Sequence, residues 1–215
     1  MADAAFILVA YLIGSLSFAV IVSRALGLPD PRSYGSGNPG ATNVLRTGRK
    51  LAALLTLAGD GGKGWLAVFL AARYAPEYGA GGTAVATCSV AVFLGHVFPV
   101  FLAFKGGKGV ATAGGVLLAL DPWLGLAGLA TWAAVALISR YASLASVVAA
   151  VFAPVYALFM SLPQGAVPAL VFIGAVSVWR HRGNMRSLAA GRERKIGEKE
   201  TPGAAAGDSA SAGKS

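Results

Sequence analysis

The sequence predicts an all-α polytopic membrane protein with about seven transmembrane helices, some of them short or broken. Of its 215 residues, 56% are hydrophobic and only 13% are charged, whereas a soluble domain usually has about 25% charged residues. The apolar residues form long stretches separated by short loops. The 29 glycines suit helices that pack closely in lipid, because such helices associate through small residues.

A hydrocarbon core about 30 Å thick requires about 20 apolar residues per helix, or fewer where a helix is short or broken. We expect the second apolar stretch to be interrupted at Gly59–Gly64 and the fourth to be too short for a comfortable crossing. The candidate spans are Ala4–Ser23, Leu51–Tyr74, Thr83–Phe104, Val110–Leu120, Trp123–Ser139, Ala142–Met160 and Ala166–Trp179.

The two ends of the chain differ in character. Asp3 precedes the first apolar stretch where a signal peptide would have a basic region, so this stretch is interpreted as a retained span. After Ile196 the chain has few large apolar residues and cannot bury a core. We therefore expect one membrane domain over residues 1–197 and a disordered tail over residues 198–215.

The basic residues of the loops predict the orientation, because lysine and arginine are retained on the cytoplasmic side. Alternate loops differ strongly in charge, which places the N-terminus outside and the C-terminus in the cytoplasm. The poorly basic loops contain Arg73, Glu77, Asp121 and residues 162–165. The basic loops contain Arg24, Arg32, Arg46, Arg49, Lys50, Lys105, Lys108, Arg140, Arg180, Arg182, Arg186, Arg192, Arg194 and Lys195.

Four polar segments combine flexible backbone with cations or hydrogen-bonding side chains. Backbone N–H groups of a glycine-rich loop can converge on one anion, and a following helix adds its positive end. The segments therefore predict phosphate binding at the cytoplasmic side. They are Ser33–Asn43 with Arg46, Gly59–Gly64 with Asp60 and Lys63, Lys105–Gly109 with Thr112, and His181–Asn184.

These four segments could also have only a structural role. Glycine-rich loops between membrane helices are often turns, and basic loop residues often only fix topology. Topology explains neither Asn38, Asn43 and Asn184 among the cations nor Asp60 and Lys63 inside an apolar stretch. The four segments together favour a substrate site.

Several other functions fit the sequence poorly. Both Gly-Lys pairs lack the glycine and the following hydroxyl residue of a nucleotide-binding P-loop. Two histidines, one cysteine and no acidic cluster supply too few ligands for a metal site, so we expect no metal and no cofactor. The apolar background argues against nucleic-acid binding. An anion or phospholipid-precursor transporter remains the main alternative, ahead of a purely structural membrane scaffold.

The ordered motifs resemble those of the bacterial acyl-phosphate:glycerol-3-phosphate acyltransferases, the PlsY family, over about residues 1–197. The residues that carry the resemblance are Gly35-Ser36-Gly37-Asn38-Pro39-Gly40-Ala41-Thr42-Asn43, Gly59-Asp60-Gly61-Gly62-Lys63-Gly64, Gly95-His96 through Lys105-Gly106-Gly107-Lys108-Gly109 to Thr112, and His181-Arg182-Gly183-Asn184. The His-x4-Asp pair of other glycerol-phosphate acyltransferases is absent, because Phe101 and Arg186 stand five positions after the two histidines.

The resemblance implies a multi-pass enzyme of the bacterial plasma membrane with its active site facing the cytoplasm. It implies transfer of a fatty acyl group from acyl phosphate to the 1-hydroxyl of glycerol 3-phosphate, giving lysophosphatidate and phosphate, the first acylation of phospholipid synthesis. The resemblance leads us to expect Ser36, Arg46 and Lys108 as catalytic residues and Asp60, Lys63 and His96 as supporting residues. The expected substrate-binding residues are Asn38, Thr42, Asn43, Lys105, His181 and Asn184.

Overall fold

The computed structural model describes residues 2–198, and all regular elements in this range are helices, as the sequence predicts. The helices are α1 (Ala2–Ser15), α2 (Phe18–Ala25), α3 (Ala41–Leu45), α4 (Lys50–Tyr74), α5 (Ala84–Val97), α6 (Val110–Leu120), α7 (Pro122–Ser139), α8 (Ala142–Ala157), α9 (Ala166–Arg180) and α10 (Arg182–Ala189), with 3₁₀ turns at Ala75–Tyr78 and Val100–Leu102.

Glycines allow the closest helix contacts of the bundle. Helix α1 packs along α5 and α4 along α6, while α7, α8 and α9 follow as neighbours. A Cβ at Gly14 would overlap the carbonyl of Val92, and one at Gly115 would overlap the carbonyl of Gly61. Packing of backbone against backbone is the expected means of helix association in lipid, where apolar burial gives little driving force.

The first predicted span, Ala4–Ser23, consists of two helices. Helix α1 ends at Ser15, α2 begins at Phe18, and their axes differ by 43°. The break frees the carbonyl of Leu16, which accepts a hydrogen bond from Lys63 Nζ at 2.6 Å. A charged donor from α4 therefore stabilises the bend between α1 and α2.

The predicted interruption at Gly59–Gly64 is wrong, because α4 runs without a break from Lys50 to Tyr74. Its glycines provide close contacts instead of a break. The ring of Phe18 occupies the place of a Cβ at Gly59, and the carbonyl of Thr112 occupies the place of one at Gly64. The polar residues of this stretch are accommodated inside the bundle, so the helix can continue.

Each of the other predicted spans corresponds to a helix whose first or last residue differs from the prediction in some cases. The third is α5 followed by the 3₁₀ turn Val100–Leu102, with the break at Phe98–Pro99. The fourth has the bounds predicted for it, the sixth ends at Ala157 and the seventh extends to Arg180. Residues 199–215 of the predicted tail lie outside the described part of the chain.

The apolar helices fit a membrane protein. The run Ala84–Leu102 and helix Pro122–Ser139 are each long and apolar enough to cross a membrane, and the bent pair α1 and α2 could form a third span. Helices α6, α8 and α9 are apolar but shorter. Large side chains such as Leu137, Ile138 and Phe159 are more than 80% exposed on the protein, as expected of a surface that lipid covers.

Candidate active site

The loop before α3 is folded around Asn43, the third residue of that helix. The buried Asn43 side chain accepts hydrogen bonds from the backbone N and the hydroxyl of Ser36, at 3.0 and 3.3 Å. Its amide nitrogen donates to the carbonyls of Pro31 and Tyr34, at 2.7 and 3.2 Å. One side chain therefore connects three points of the loop and fixes the direction of the Ser36 hydroxyl.

Arg46 lies against the same loop. Gly35 has a φ of +59°, which favours glycine, and a Cβ there would lie 3.2 Å from the guanidinium nitrogen Nη1 of Arg46. The loop backbone can approach the guanidinium because position 35 has no side chain. Ser36 and Arg46 consequently belong to one surface of the loop.

Lys108 lies directly before α6 and reaches the far end of the described chain. Its ammonium donates to Oδ1 of Asn184 in α10 at 2.5 Å. The Asn184 amide donates to Glu193 at 2.8 Å, and the Ser143 hydroxyl of α8 donates to the same carboxylate oxygen at 2.6 Å. Residues from four separate segments thus form one polar network.

The surrounding charges act on Lys108 together. Burial lowers the pKa of its ammonium, Glu193 opposes this shift, and the positive charges of Arg180 and Arg46 lower the pKa further. Arg46 and Arg180 are therefore near enough to influence Lys108. Three cations with one nearby carboxylate give the site a positive potential suited to a phosphate ester.

His181 is held in one tautomer at the junction of α9 and α10. Its Nδ1 lies 2.8 Å from the carbonyl of Ser177, which can only accept, so Nδ1 carries the proton. Burial lowers the pKa of His181 to about 4, and the charge of Lys108 adds to that effect. The ring is consequently neutral near pH 7, and its Nε2 is a hydrogen-bond acceptor.

Comparisons with known proteins decide the family of the chain. The model of the glycerol-3-phosphate acyltransferase family matches residues 4–191. The chain is 61% identical to the glycerol-3-phosphate acyltransferase of Paraburkholderia phytofirmans over 92% of both sequences. It is 59% identical to that of Cupriavidus necator over 93% of the chain and 99% of the relative. The chain belongs to the glycerol-3-phosphate acyltransferase family.

Solved structures agree with this family assignment. The chain resembles crystal structures of PlsY, an integral membrane glycerol 3-phosphate acyltransferase, in its glycerol 3-phosphate form (TM-score 0.84, 36% identity) and its lysophosphatidic acid form (TM-score 0.83, 35% identity). Each match covers 92% of this chain and 96% of the known structure. The protein is therefore an integral membrane acyltransferase of phospholipid synthesis.

The structure brings most of the predicted site residues of the enzyme into one region. Ser36 and Arg46 share the loop surface, Arg46 influences Lys108, and Lys108 contacts Asn184 and influences His181. Two further predicted residues, Thr42 and Lys105, are exposed on the same two segments, and Asn38 is partly buried in the first loop.

Asp60, Lys63 and His96 form a separate buried cluster of the acyltransferase. Asp60 and Lys63 make an ion pair of 2.8 Å, with side chains only 3% and 2% exposed. His96 Nδ1 lies 3.5 Å from the same Asp60 oxygen, and the hydroxyl of Thr112 donates to the Asp60 carbonyl at 3.0 Å. These residues connect α4, α5 and α6 beneath the turn that carries Lys108.

Two residues that contact the candidate site, Arg180 and Glu193, were not predicted from the sequence. Arg180 donates to the carbonyl of Gly106 at 2.9 Å, although the sequence places it among the loop cations that set topology. Glu193 accepts from Asn184 and Ser143. A lone acid between Arg192 and Arg194 is the sequence signal that could have identified Glu193.

Proposed function

We propose that this glycerol-3-phosphate acyltransferase uses acyl phosphate as its donor and releases lysophosphatidate and inorganic phosphate. The observation that carries the proposal is the contact of Lys108 with Asn184, with Arg180 bound to the nearby Gly106 carbonyl and the charge of Arg46 acting on Lys108. Two phosphorylated substrates bring more negative charge to the site than one. Three cations from distant parts of the chain can neutralise the negative charge of two phosphate groups.

The proposed reaction is a direct acyl transfer. The 1-hydroxyl oxygen of glycerol 3-phosphate attacks the carbonyl carbon of acyl phosphate, forming the ester C–O bond. The bond between that carbon and the bridging phosphate oxygen breaks, and the hydroxyl proton passes to a phosphate oxygen. Because phosphate is a good leaving group once its charge is neutralised, orientation and electrostatic stabilisation supply most of the catalysis.

The residue roles follow from charge and hydrogen-bonding capacity. Arg46 and Lys108 bind the phosphates through charge-assisted hydrogen bonds, with Lys105 contributing from the surface. The Ser36 hydroxyl, held by Asn43, orients the attacking hydroxyl or polarises the acyl carbonyl. Asn38 and Thr42 of the first motif are further substrate contacts. The neutral His181 and Asn184 complete the glycerol 3-phosphate site.

An apolar groove between α8 and α9 suits the acyl chain. It measures about 460 Å³ and is lined by Val151, Pro154, Val171, Val178 and Trp179 among others. The guanidinium of Arg180 lies 5.9 Å from the centre of the Trp179 ring, so a cation of the site adjoins the lining of the groove. A chain lying there would leave its acyl phosphate group near the cations while its methylenes remain in an apolar environment.

We further propose that residues 1–197 form one domain of the bacterial plasma membrane with seven crossings, an external N-terminus and a cytoplasmic active site. The loop charges support this orientation. The site segments at Arg46, Lys108 and Arg180 all belong to the basic set of loops, whereas Glu77 and Asp121 belong to the other set. Both substrates would then reach the site from the cytoplasmic leaflet.

The donor is tested with purified protein in detergent and radiolabelled glycerol 3-phosphate. Palmitoyl phosphate, palmitoyl-coenzyme A and palmitoyl-acyl carrier protein are supplied separately without added metal. We expect lysophosphatidate from palmitoyl phosphate alone, with one phosphate released per product. Product from the thioesters but none from palmitoyl phosphate would contradict the proposed donor.

The orientation is tested by labelling single cysteines in a Cys88→Ser background. Glu77→Cys and Arg192→Cys place one thiol in each class of loop. A membrane-impermeant maleimide should label the first in intact spheroplasts and the second only after lysis. Labelling of Arg192→Cys in intact spheroplasts would overturn the proposed topology.

A further inference from the structure

The turn that carries Lys108 lies directly on His96. The backbone N–H of Gly107 donates to the carbonyl of His96 at 3.2 Å. A Cβ at Gly107 would overlap the imidazole at Nε2, and a Cβ at Gly106 would overlap the His96 carbonyl. The position of this histidine therefore determines where the turn, and Lys108 after it, can lie.

The ring of His96 lies in turn beside two buried charged residues, Asp60 and Lys63. The side chains of His96, Asp60 and Lys63 are 7%, 3% and 2% exposed. Asp60 lies beside Nδ1 of the imidazole, and Lys63 connects Asp60 to the free carbonyl of Leu16 at the bend between α1 and α2. The ring thus packs beside a buried ion pair that connects α4 to the bend between α1 and α2.

Arg180 contacts the other side of the turn. Its guanidinium donates to the carbonyl of Gly106 at 2.9 Å. With His96 on one side and Arg180 on the other, the two glycines have little freedom. Lys108, one residue farther along, meets Asn184 from this fixed position.

We propose that His96 is a positioning residue that acts on catalysis through Gly106 and Gly107, by placing the ammonium of Lys108. The inference rests on the proposed function, in which Lys108 binds substrate phosphate. His96 itself transfers no proton and contacts no substrate in this role, because Gly107 lies against its Nε2. Misplacement of a catalytic group by about 1 Å can cost roughly 100-fold in rate.

A double-mutant cycle on kcat/KM tests the inference, because a positioning residue loses its effect when the group it positions is absent. We expect His96→Ala to lower kcat/KM by roughly 10- to 100-fold in the wild-type background. In a Lys108→Gln background it should cost no more than about threefold. Ser89→Ala, a buried polar change elsewhere in α5, is the matched control and should have the same effect in both backgrounds.

A second cycle measures the contact itself. Gly107→Ala should impair the enzyme because its Cβ overlaps the ring, and the same substitution should have little further effect in a His96→Ala background. His96→Asn replaces His96→Ala in both cycles if size-exclusion chromatography in detergent shows that the alanine variant does not fold.

The outcomes separate the inference from the proposed function. Effects of His96 and Lys108 that multiply, or a Gly107→Ala defect that persists without the ring, would show a general structural role and overturn the inference. Neither result would affect the proposed donor, which product formation by the wild-type enzyme decides.

Discussion

The Lys108 ammonium and the Asn184 side-chain oxygen lie 2.5 Å apart, although 76 positions separate them in the chain. The contact joins the glycine turn before α6 to the short helix α10. Asn184 also donates to Glu193, so the lysine is held in a network that includes a carboxylate. The half-buried ammonium of Lys108 also experiences the positive charges of Arg180 and Arg46, which lower its pKa.

Removing the Lys108 charge should affect the reaction more than the fold. We expect Lys108→Ala to lower kcat/KM by about 30- to 1,000-fold, which corresponds to roughly 2 to 4 kcal/mol of transition-state stabilisation. Arg192→Ala removes the same charge at an exposed position of the C-terminal segment and should stay within about threefold of wild type. Equal effects of the two substitutions in the acyl phosphate assay would contradict the role of Lys108.

Substitutions of Ser36 and Asn43 should differ in their effects on activity and on stability. Ser36→Ala removes one hydroxyl and leaves the Asn43 contacts to the backbone, so we expect lower kcat with an unchanged unfolding temperature. Asn43→Ala leaves the carbonyls of Pro31 and Tyr34 without their donor. It should therefore reduce activity and also cost about 1 to 3 kcal/mol of stability. Near-normal turnover of Ser36→Ala would remove Ser36 from the catalytic group.

The sequence predicted the helical class and most helix positions because apolar length is a local property. It also predicted that the segments of Lys108 and Asn184 come together, since each carries its own cations and glycines. It counted Gly59–Gly64 among the phosphate-binding segments, whereas Asp60 and Lys63 form a separate buried pair. It could not predict that α4 continues through Gly59–Gly64, because that depends on Phe18 and Thr112 lying against the glycines. Glu193 was missed for a related reason, since its partners Ser143 and Asn184 come from other segments.

Removing one partner of the buried ion pair between Asp60 and Lys63 should strongly destabilise the protein. Lys63→Met leaves a buried carboxylate without its main counter-charge, and such a change typically costs about 3 to 5 kcal/mol. Asp60→Asn combined with Lys63→Met should be less destabilising than Lys63→Met alone, because neither position then carries a buried charge. Unfolding in detergent, followed by circular dichroism, measures both.

The exposed pair of Arg73 and Glu77 is the control for this comparison. Arg73→Ala should change the free energy of unfolding by about 0 to 1 kcal/mol. A loss on Lys63→Met as small as that on Arg73→Ala would show that the buried pair contributes little to the fold.

His181 should make stability depend on pH in a specific window. Its pKa falls from 6.5 in the unfolded chain to about 4 in the folded protein, so the unfolded chain binds more protons between these values. The contribution is complete above pH 6.5 and is lost as the pH falls towards 4, by on the order of 3 kcal/mol in total. Unfolding temperatures at pH 7 and pH 5 should differ more for wild type than for His181→Gln. Parallel curves for the two proteins would contradict a neutral, buried His181.

Adjacent glycines of α6 provide a test of the helix packing that supports the site. Gly115 faces the backbone of α4, and its Cβ would overlap the carbonyl of Gly61, whereas a Cβ at Gly114 meets nothing within 4 Å. Gly115→Ala should therefore destabilise the protein by about 1 to 3 kcal/mol through overpacking. Gly114→Ala, the same chemical change one residue away, should be neutral or slightly stabilising. Since α6 begins directly after the Lys108 turn, Gly115→Ala should also lower activity. Equal unfolding temperatures for the two variants would mean that α4 and α6 do not pack at this distance.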